Sequence, residues 1–143
     1  MVAPTPLAST PPDGRPAAAG AGGLSEALSR LQQALDAPRG AAVDRGSWRW
    51  TVRQRMAAVR DALVAEVDPV DDGWLAARSG GLLRERQALV SRLAAAGPAV
   101  LESPDVERVR AEVHRLVVDV GHHLQRRHDL AYDAVELELG GEE

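Results

Sequence analysis

The sequence predicts an all-α protein: an antiparallel four-helix bundle that follows a disordered N-terminal tail. Four segments carry apolar residues three and four positions apart, which places those residues on one face of a helix. No segment alternates polar and apolar residues with a period of two, so strands are not expected. The length of 143 residues suits one domain with a sizeable core. We predict the tail over residues 1–23 and the bundle over residues 24–143.

The tail is predicted from its composition. Residues 1–23 contain five prolines and four glycines among Ala, Ser and Thr. Such a segment buries too little apolar surface to offset the entropy lost on ordering. The first helix should begin where leucines recur on one face, at Leu24, Leu28, Leu31 and Leu35, and should end near Pro38 and Gly40.

The second and third helices are predicted over residues 47–67 and 81–96. The second helix has an apolar face made of Trp48, Val52, Met56, Val59 and Leu63. Glu66 lies on the edge of this face. Trp50 lies on another side and should pack against the first helix or the loop. Gly97-Pro98 should end the third helix, because proline cannot continue the hydrogen-bond ladder.

The fourth helix is the longest. Ser103-Pro104-Asp105 is typical of a helix start, with serine as the N-cap and proline at the first helical position. Its apolar stripe should contain Val106, Val109, Val113, Val117, Val120, Leu124, Ala131 and Val135. Gly140-Gly141 should end it.

Composition narrows the functional classes. The net charge of -4 is modest and mixed, which argues against a nucleic-acid partner. The chain has no cysteine, so disulfides and thiolate metal sites are excluded. All 17 basic residues are arginine and Lys, Ile, Asn and Phe are absent, a bias typical of a GC-rich bacterial genome. No apolar run reaches signal-peptide or membrane-span length, so we expect a cytoplasmic protein without a membrane partner.

The histidines are concentrated on the fourth helix. All four fall within 15 residues: His114, His122, His123 and His128. On a helical wheel centred on Val113, His123 and His128 lie on opposite shoulders of the buried face, and His122 points away from it. Two shoulders of one helix cannot bind a common ion, so a site needs a ligand from a neighbouring helix.

Glu66 is the best inward carboxylate for such a site. A histidine beside a carboxylate in a bundle core is a common way to bind iron, manganese or zinc. The candidate metal ligands are therefore His123, His128 and Glu66. The alternative is that Glu66 reaches water or pairs with Arg60 or Arg86. No catalytic residue is predicted, because the chain has neither a nucleophile elbow nor a phosphate-binding glycine loop.

Residues 122–142 read HHLQRRHDLAYDAVELELGGE. This run resembles the ending of small actinobacterial proteins of the hemerythrin-like type, in which a histidine-arginine helix leads to an Asp-Leu-x-Tyr-Glu-Ala run and a terminal Gly-Gly. Residues 59–66 and 82–89 resemble the second and third helices of those proteins. The resemblance covers roughly residues 24–143 and implies a four-helix bundle whose members hold a non-haem di-iron centre.

The resemblance also implies that the usual centre cannot form here. Glu66 and Gln87 stand where the relatives carry metal-type histidines, and His123 is the matching histidine on the last helix. We therefore expect a non-enzymatic, hemerythrin-like bundle that acts as an interaction or structural module, with a protein partner or with itself. The alternative is a protein that binds iron or zinc through His123 or His128 with Glu66.

Overall fold

The computed structural model describes residues 16–37, 42–66 and 75–140, and it is an antiparallel four-helix bundle. The helices are α1 (Pro16–Asp36), α2 (Ala42–Val64), α3 (Ala76–Glu102) and α4 (Val106–Gly140). Each helix packs against the next along the chain, and α4 closes the bundle against α1. The predicted all-α class is confirmed, since these residue ranges contain no strand. None of the helices in these ranges combines the length and apolarity needed to cross a bilayer.

Ion pairs between α3 and α4 show that these helices run in opposite directions. Arg92 contacts Asp119 at 2.8 Å, and Arg78 contacts Asp133 at 2.6 Å. The residue numbers fall along α3 as they rise along α4. α2 and α4 each pack against α1 and α3 but not closely against each other, so they occupy a diagonal of the bundle, with the core between them.

The core contains apolar side chains from all four helices. The predicted faces of α1 and α2 are confirmed, with Leu28 only partly buried. Trp48 is buried, and its indole N–H donates a hydrogen bond of 2.9 Å to the carbonyl of Ala34, so burial leaves no orphan donor. Trp50 does not pack as expected and is 59% exposed. Two positions along a helix turn a side chain through about 200°, away from the core that holds Trp48.

α1 and α2 begin earlier than predicted. α1 starts at Pro16, so residues 16–23 of the predicted tail are helical, and α2 starts at Ala42. Proline is favoured in the first turn, where its missing N–H is not needed, and the alanines at positions 17–19 have the strongest helix propensity. These local preferences outweigh the low helix propensity of the glycines that follow. Residues 1–15 lie outside the described residues, so disorder there stays a prediction.

α3 is longer than predicted at both ends and continues through Gly97-Pro98. Gly97 is buried, and a Cβ at this position would lie 2.7 Å from Nε of Arg53 on α2. The glycine therefore leaves room for the Arg53 side chain against α3 instead of ending the helix. Tertiary packing compensates here for the hydrogen bond that Pro98 removes.

α4 begins two residues later than its start signal suggested. Asp105 is the N-cap, since its Oδ1 accepts a hydrogen bond of 3.1 Å from the backbone N–H of Arg108. Ser103 instead accepts one of 3.3 Å from the N–H of Asp105. Pro104 thus precedes the helix, whose last described residue is Gly140; residues 141–143 lie outside the described residues, so the end at Gly140-Gly141 stays a prediction.

Candidate functional site

The spacing of the buried positions on α4 decides which histidine faces the core. Buried and partly buried side chains recur alternately four and three residues apart, at Val109, Val113, Leu116, Val120, His123, Arg127 and Leu130. This is a period of 3.5, whereas the wheel used 3.6 residues per turn and so drifts by about 20° per heptad. Between residues 113 and 130 the drift reaches about 50°. Consequently Leu130 is buried, and Val135, assigned to the stripe, is 53% exposed.

The same drift separates the two candidate histidines. His123 takes the heptad position of Leu116 and Leu130, and it is fully buried. His128, which was expected to be partly buried, is exposed, and His122 is exposed as expected. The structure therefore brings His123 of the proposed ligand set into the core and leaves His128 at the surface.

Glu66 meets His123 across the diagonal of the bundle. Glu66 follows the last turn of α2 and continues the four-and-three spacing of Val59 and Leu63. Its Oε1 and Oε2 lie 2.9 and 3.2 Å from Nε2 of His123. Each of the two side chains is 1% exposed, so the contact excludes solvent.

The second ring nitrogen of His123 has a partner that the sequence reading missed. Nδ1 lies 2.6 Å from Oε1 of Glu85 on α3. Glu85 follows Leu82 by three residues and precedes Leu89 by four, so it lies on the face of α3 that turns toward the core. That spacing was the available signal, and it was overlooked because a charged residue is ordinarily assigned to the surface.

Two arginines of α4 bind the outer sides of the carboxylates. Arg126 contacts both oxygens of Glu85, with Nη2 at 2.6 Å from Oε2 and Nε at 3.3 Å from Oε1. Nη1 of Arg127 lies 3.3 Å from Oε2 of Glu66, and the Arg127 side chain is 14% exposed. These guanidinium groups occupy acceptor positions on the carboxylates that remain open after the contacts with His123.

A third arginine settles the alternative raised for Glu66. Nη1 of Arg86 lies 3.8 Å from Oε1 of Glu66 and donates a hydrogen bond of 3.1 Å to its backbone carbonyl. Arg60, the other arginine considered, lies 3.7 Å from Asp61 instead. The pairing with Arg86 is therefore confirmed. Glu66, Glu85, His123 and the three arginines around them, Arg86, Arg126 and Arg127, are called the ionic cluster below.

The electrostatics of the ionic cluster favour the charged forms. Burial lowers the pKa of His123, but hydrogen bonds and charges from Glu66 and Glu85 outweigh burial and raise the pKa above its ordinary value of 6.5. Burial raises the pKa of the Glu85 carboxyl, but Arg126 and His123 outweigh it and lower the pKa below 4.5. Both shifts favour an imidazolium, which can donate one N–H to each carboxylate.

The geometry fits an ionic link better than a metal centre. The two ring nitrogens of an imidazole point to different sides, so Glu66 and Glu85 cannot join His123 on one ion. An ion on the Glu66 side would compete with the guanidinium groups that already hold this carboxylate. Within residues 16–37, 42–66 and 75–140, no group of three or more His, Cys, Asp or Glu side chains is arranged to hold a metal ion.

The ionic cluster meets solvent at Glu85 and Arg126, whose side chains are 28% and 52% exposed. A cleft of about 310 Å³ between α3 and α4 opens there, lined by Arg78, Gly81, Leu82, Glu85, Arg126, Asp129 and Leu130. Among the described residues, every buried side-chain nitrogen or oxygen has a hydrogen-bond partner. Reaching His123 from the cleft would therefore require Glu85 and Arg126 to separate.

No protein-family model matches this chain, and no match was found among curated proteins or solved structures.

Proposed function

We propose that this chain is a non-catalytic helical bundle that acts as an interaction or structural module, and that its ionic cluster links the helices. The observation that carries the proposal is the saturation of His123. Both ring nitrogens are bonded to protein carboxylates, and the ring is fully buried. A general acid or base must reach the proton it transfers, and this ring has no open nitrogen to offer.

The contacts of His123 also explain why such a cluster is kept in the core. Glu66 from the end of α2 and Glu85 from α3 meet on one residue of α4, so three helices are joined at one level. Burying charges adds little net stability compared with apolar side chains. It does select one alignment, because Leu, Val and Ala stripes tolerate a shifted register, whereas a displaced carboxylate would be buried without a partner.

The sequence resemblance supports the same proposal. We propose a hemerythrin-like bundle that retains the four helices without the usual di-iron centre, since Glu66 and Gln87 replace the family-type histidines on α2 and α3. We also propose a cytoplasmic location and a protein partner.

The proposed function is tested by cross-linking the full chain to its partner in cells and rebuilding the complex from purified components. We expect a stoichiometric complex that withstands a chelator. The variant His123→Gln should bind the partner with unchanged affinity at temperatures where it is folded. Loss of the complex on chelation, or in folded His123→Gln, would assign the ionic cluster a direct role and refute a purely structural one. Failure to rebuild any complex would refute the module.

A metal site is the second candidate, and one observation favours it. Nε2 of His123 faces both oxygens of Glu66, while Glu85 holds Nδ1 as carboxylates do behind metal-bound histidines. An ion in place of the proton between His123 and Glu66 would be iron or zinc. Elemental analysis of untagged protein decides this. Stoichiometric metal that is lost in Glu66→Gln and His123→Gln, but retained in His128→Ala, would replace our proposal.

A further inference from the structure

The end of α4 carries an exposed apolar stripe. Tyr132, Val135 and Leu139 are 65%, 53% and 63% exposed. Their spacing of i, i+3 and i+7 places them on one face over two turns, and this set is called the C-terminal stripe. Single exposed apolar residues need no explanation, but large neighbours on successive turns form a patch suited to a partner.

The stripe lies where α4 passes the start of α3. α3 begins at Ala76, and Arg78 in its first turn pairs with Asp133 at 2.6 Å. α4 continues to Gly140, about 10 Å past Asp133 at 1.5 Å per residue, whereas α3 reaches about 3 Å past Arg78, to Ala76. The last turn of α4 therefore extends about 7 Å beyond the start of α3.

The charge around the stripe is acidic. After Arg127 the chain contains no arginine or lysine and has six acids: Asp129, Asp133, Glu136, Glu138, Glu142 and Glu143. Asp129 and Glu136 are exposed. Each lies three or four positions from Tyr132, so both are its neighbours on the helix surface. The surface thus combines apolar anchors with a negative edge.

We propose that the C-terminal stripe docks on a protein partner that presents an amphipathic helix with arginine or lysine beside its apolar face. This rests on the proposed interaction function and names the partner's chemistry. Anchors at i, i+3 and i+7 are those by which one helix packs on another. The acidic edge selects a basic partner through charge complementarity.

The same charges argue against two other occupants. A second copy of the chain would bring Asp129 and Glu136 of both copies together, and like charges facing each other across an interface are unfavourable. A membrane surface with anionic lipids attracts basic segments, and this end of α4 is acidic.

The test uses the full chain and three labelled synthetic peptides, followed by fluorescence anisotropy. The first peptide is a leucine-lysine amphipathic helix; the second has the same composition without an apolar face; the third replaces each lysine by glutamate. We expect saturable binding of the first peptide with a Kd of about 1–100 μM and at least about tenfold weaker binding of the others.

Matched variants assign that binding to the stripe. Tyr132→Ser, Val135→Ser and Leu139→Ser together should weaken binding at least about tenfold. Val118→Ser, a change at another exposed apolar residue of α4, should leave it unchanged. Asp129→Asn with Glu136→Gln should weaken binding and reduce its salt dependence. Equal affinity of the first two peptides, unchanged binding by the triple variant, or no binding of any peptide would overturn the proposal.

Two further outcomes would also overturn it by naming another occupant. These are a stripe-dependent dimer in sedimentation analysis and stripe-dependent binding to zwitterionic lipid vesicles. If no peptide binds but the triple variant still forms the complex with the cross-linked partner, the C-terminal stripe is not the docking surface, whereas the proposed interaction function is retained. If no complex can be rebuilt with the wild-type chain, the proposed function falls as well.

Discussion

Replacing His123 by alanine should destabilise the bundle far more than replacing His128 by alanine, although both histidines lie on α4. His123 is fully buried and donates to two carboxylates, whereas His128 is exposed. The substitution removes the imidazole that joins Glu66 to Glu85 and leaves a cavity in its place. Because both substitutions are histidine to alanine on the same helix, a difference in stability between the two variants reports the effect of the histidine's position.

The contacts of the ionic cluster set the expected magnitude. Removing one partner of a buried ion pair costs about 3–5 kcal/mol when the other is left uncompensated. Here Glu85 keeps Arg126 at 2.6 Å, and Glu66 keeps Arg127 at 3.3 Å. We therefore expect the lower end of that range, about 3 kcal/mol, which is a large part of the 5–15 kcal/mol typical of a domain. His128→Ala should stay within about 0.5 kcal/mol of wild type.

Urea unfolding followed by circular dichroism measures both variants. The pH should lie below 6.5, the ordinary pKa of histidine, so that the imidazolium is present. We expect a lower midpoint for His123→Ala with an unchanged slope, since the surface exposed on unfolding stays similar. A double-mutant cycle with Glu66→Gln should give a coupling of at least about 1 kcal/mol. Equal midpoints for the two alanine variants, or no coupling, would refute the structural role of the cluster.

Three other predictions test the electrostatics, the metal alternative and the packing. The pKa of His123 is raised, so its contribution to stability is complete below pH 6.5 and is lost as the pH rises through the pKa of the folded state. The pKa of Glu85 is lowered, so its contribution is complete above pH 4.5 and is lost as the pH falls through the pKa of the folded state. The free energy of unfolding in a series of urea melts should therefore be highest between pH 4.5 and 6.5, and His123→Gln should flatten the alkaline side; an unchanged alkaline limb would contradict this. Elemental analysis should find well under one metal per chain after growth with added iron, manganese and zinc, because guanidinium groups already hold Glu66; near-stoichiometric metal would show the opposite. Gly97→Ala should change the free energy of unfolding by less than about 0.5 kcal/mol in wild type, because displacing the Arg53 side chain offsets alanine's helix propensity, yet raise it by about 0.5–1 kcal/mol in an Arg53→Ala background; an equal change in both backgrounds would exclude the contact.

The sequence identified only some of the residues in the candidate site. Glu66 was identified because it continues the apolar face of α2, and His123 because histidines cluster on α4. Glu85 lies on an equally regular face but was overlooked, since charged residues inside a helix are ordinarily assigned to solvent. His128 is exposed where partial burial was expected, because a wheel of 3.6 residues per turn accumulates error along a helix of 35 residues.

Helix ends were less predictable than helix faces. Ser103-Pro104-Asp105 indicated the start of α4 to within a few residues, because a cap depends on neighbours in the chain. Gly97-Pro98 misled the prediction, because α3 continues through these residues and packs there against α2, where Gly97 faces the Arg53 side chain. Local patterns report local preferences, and contacts across the bundle override them.

The sequence by itself determined the all-α class, the four helices and the leucine and valine faces that form the core. These follow from periodicity, since burying one apolar face requires a helix to pack against others. Tertiary structure alone decided that Glu66 and Glu85 meet on His123, that Gly97 admits Arg53, and that the C-terminal stripe stays exposed. Each depends on the register between helices that are distant in the chain. A pattern read along one helix carries no information about which residue of a neighbour stands at the same level.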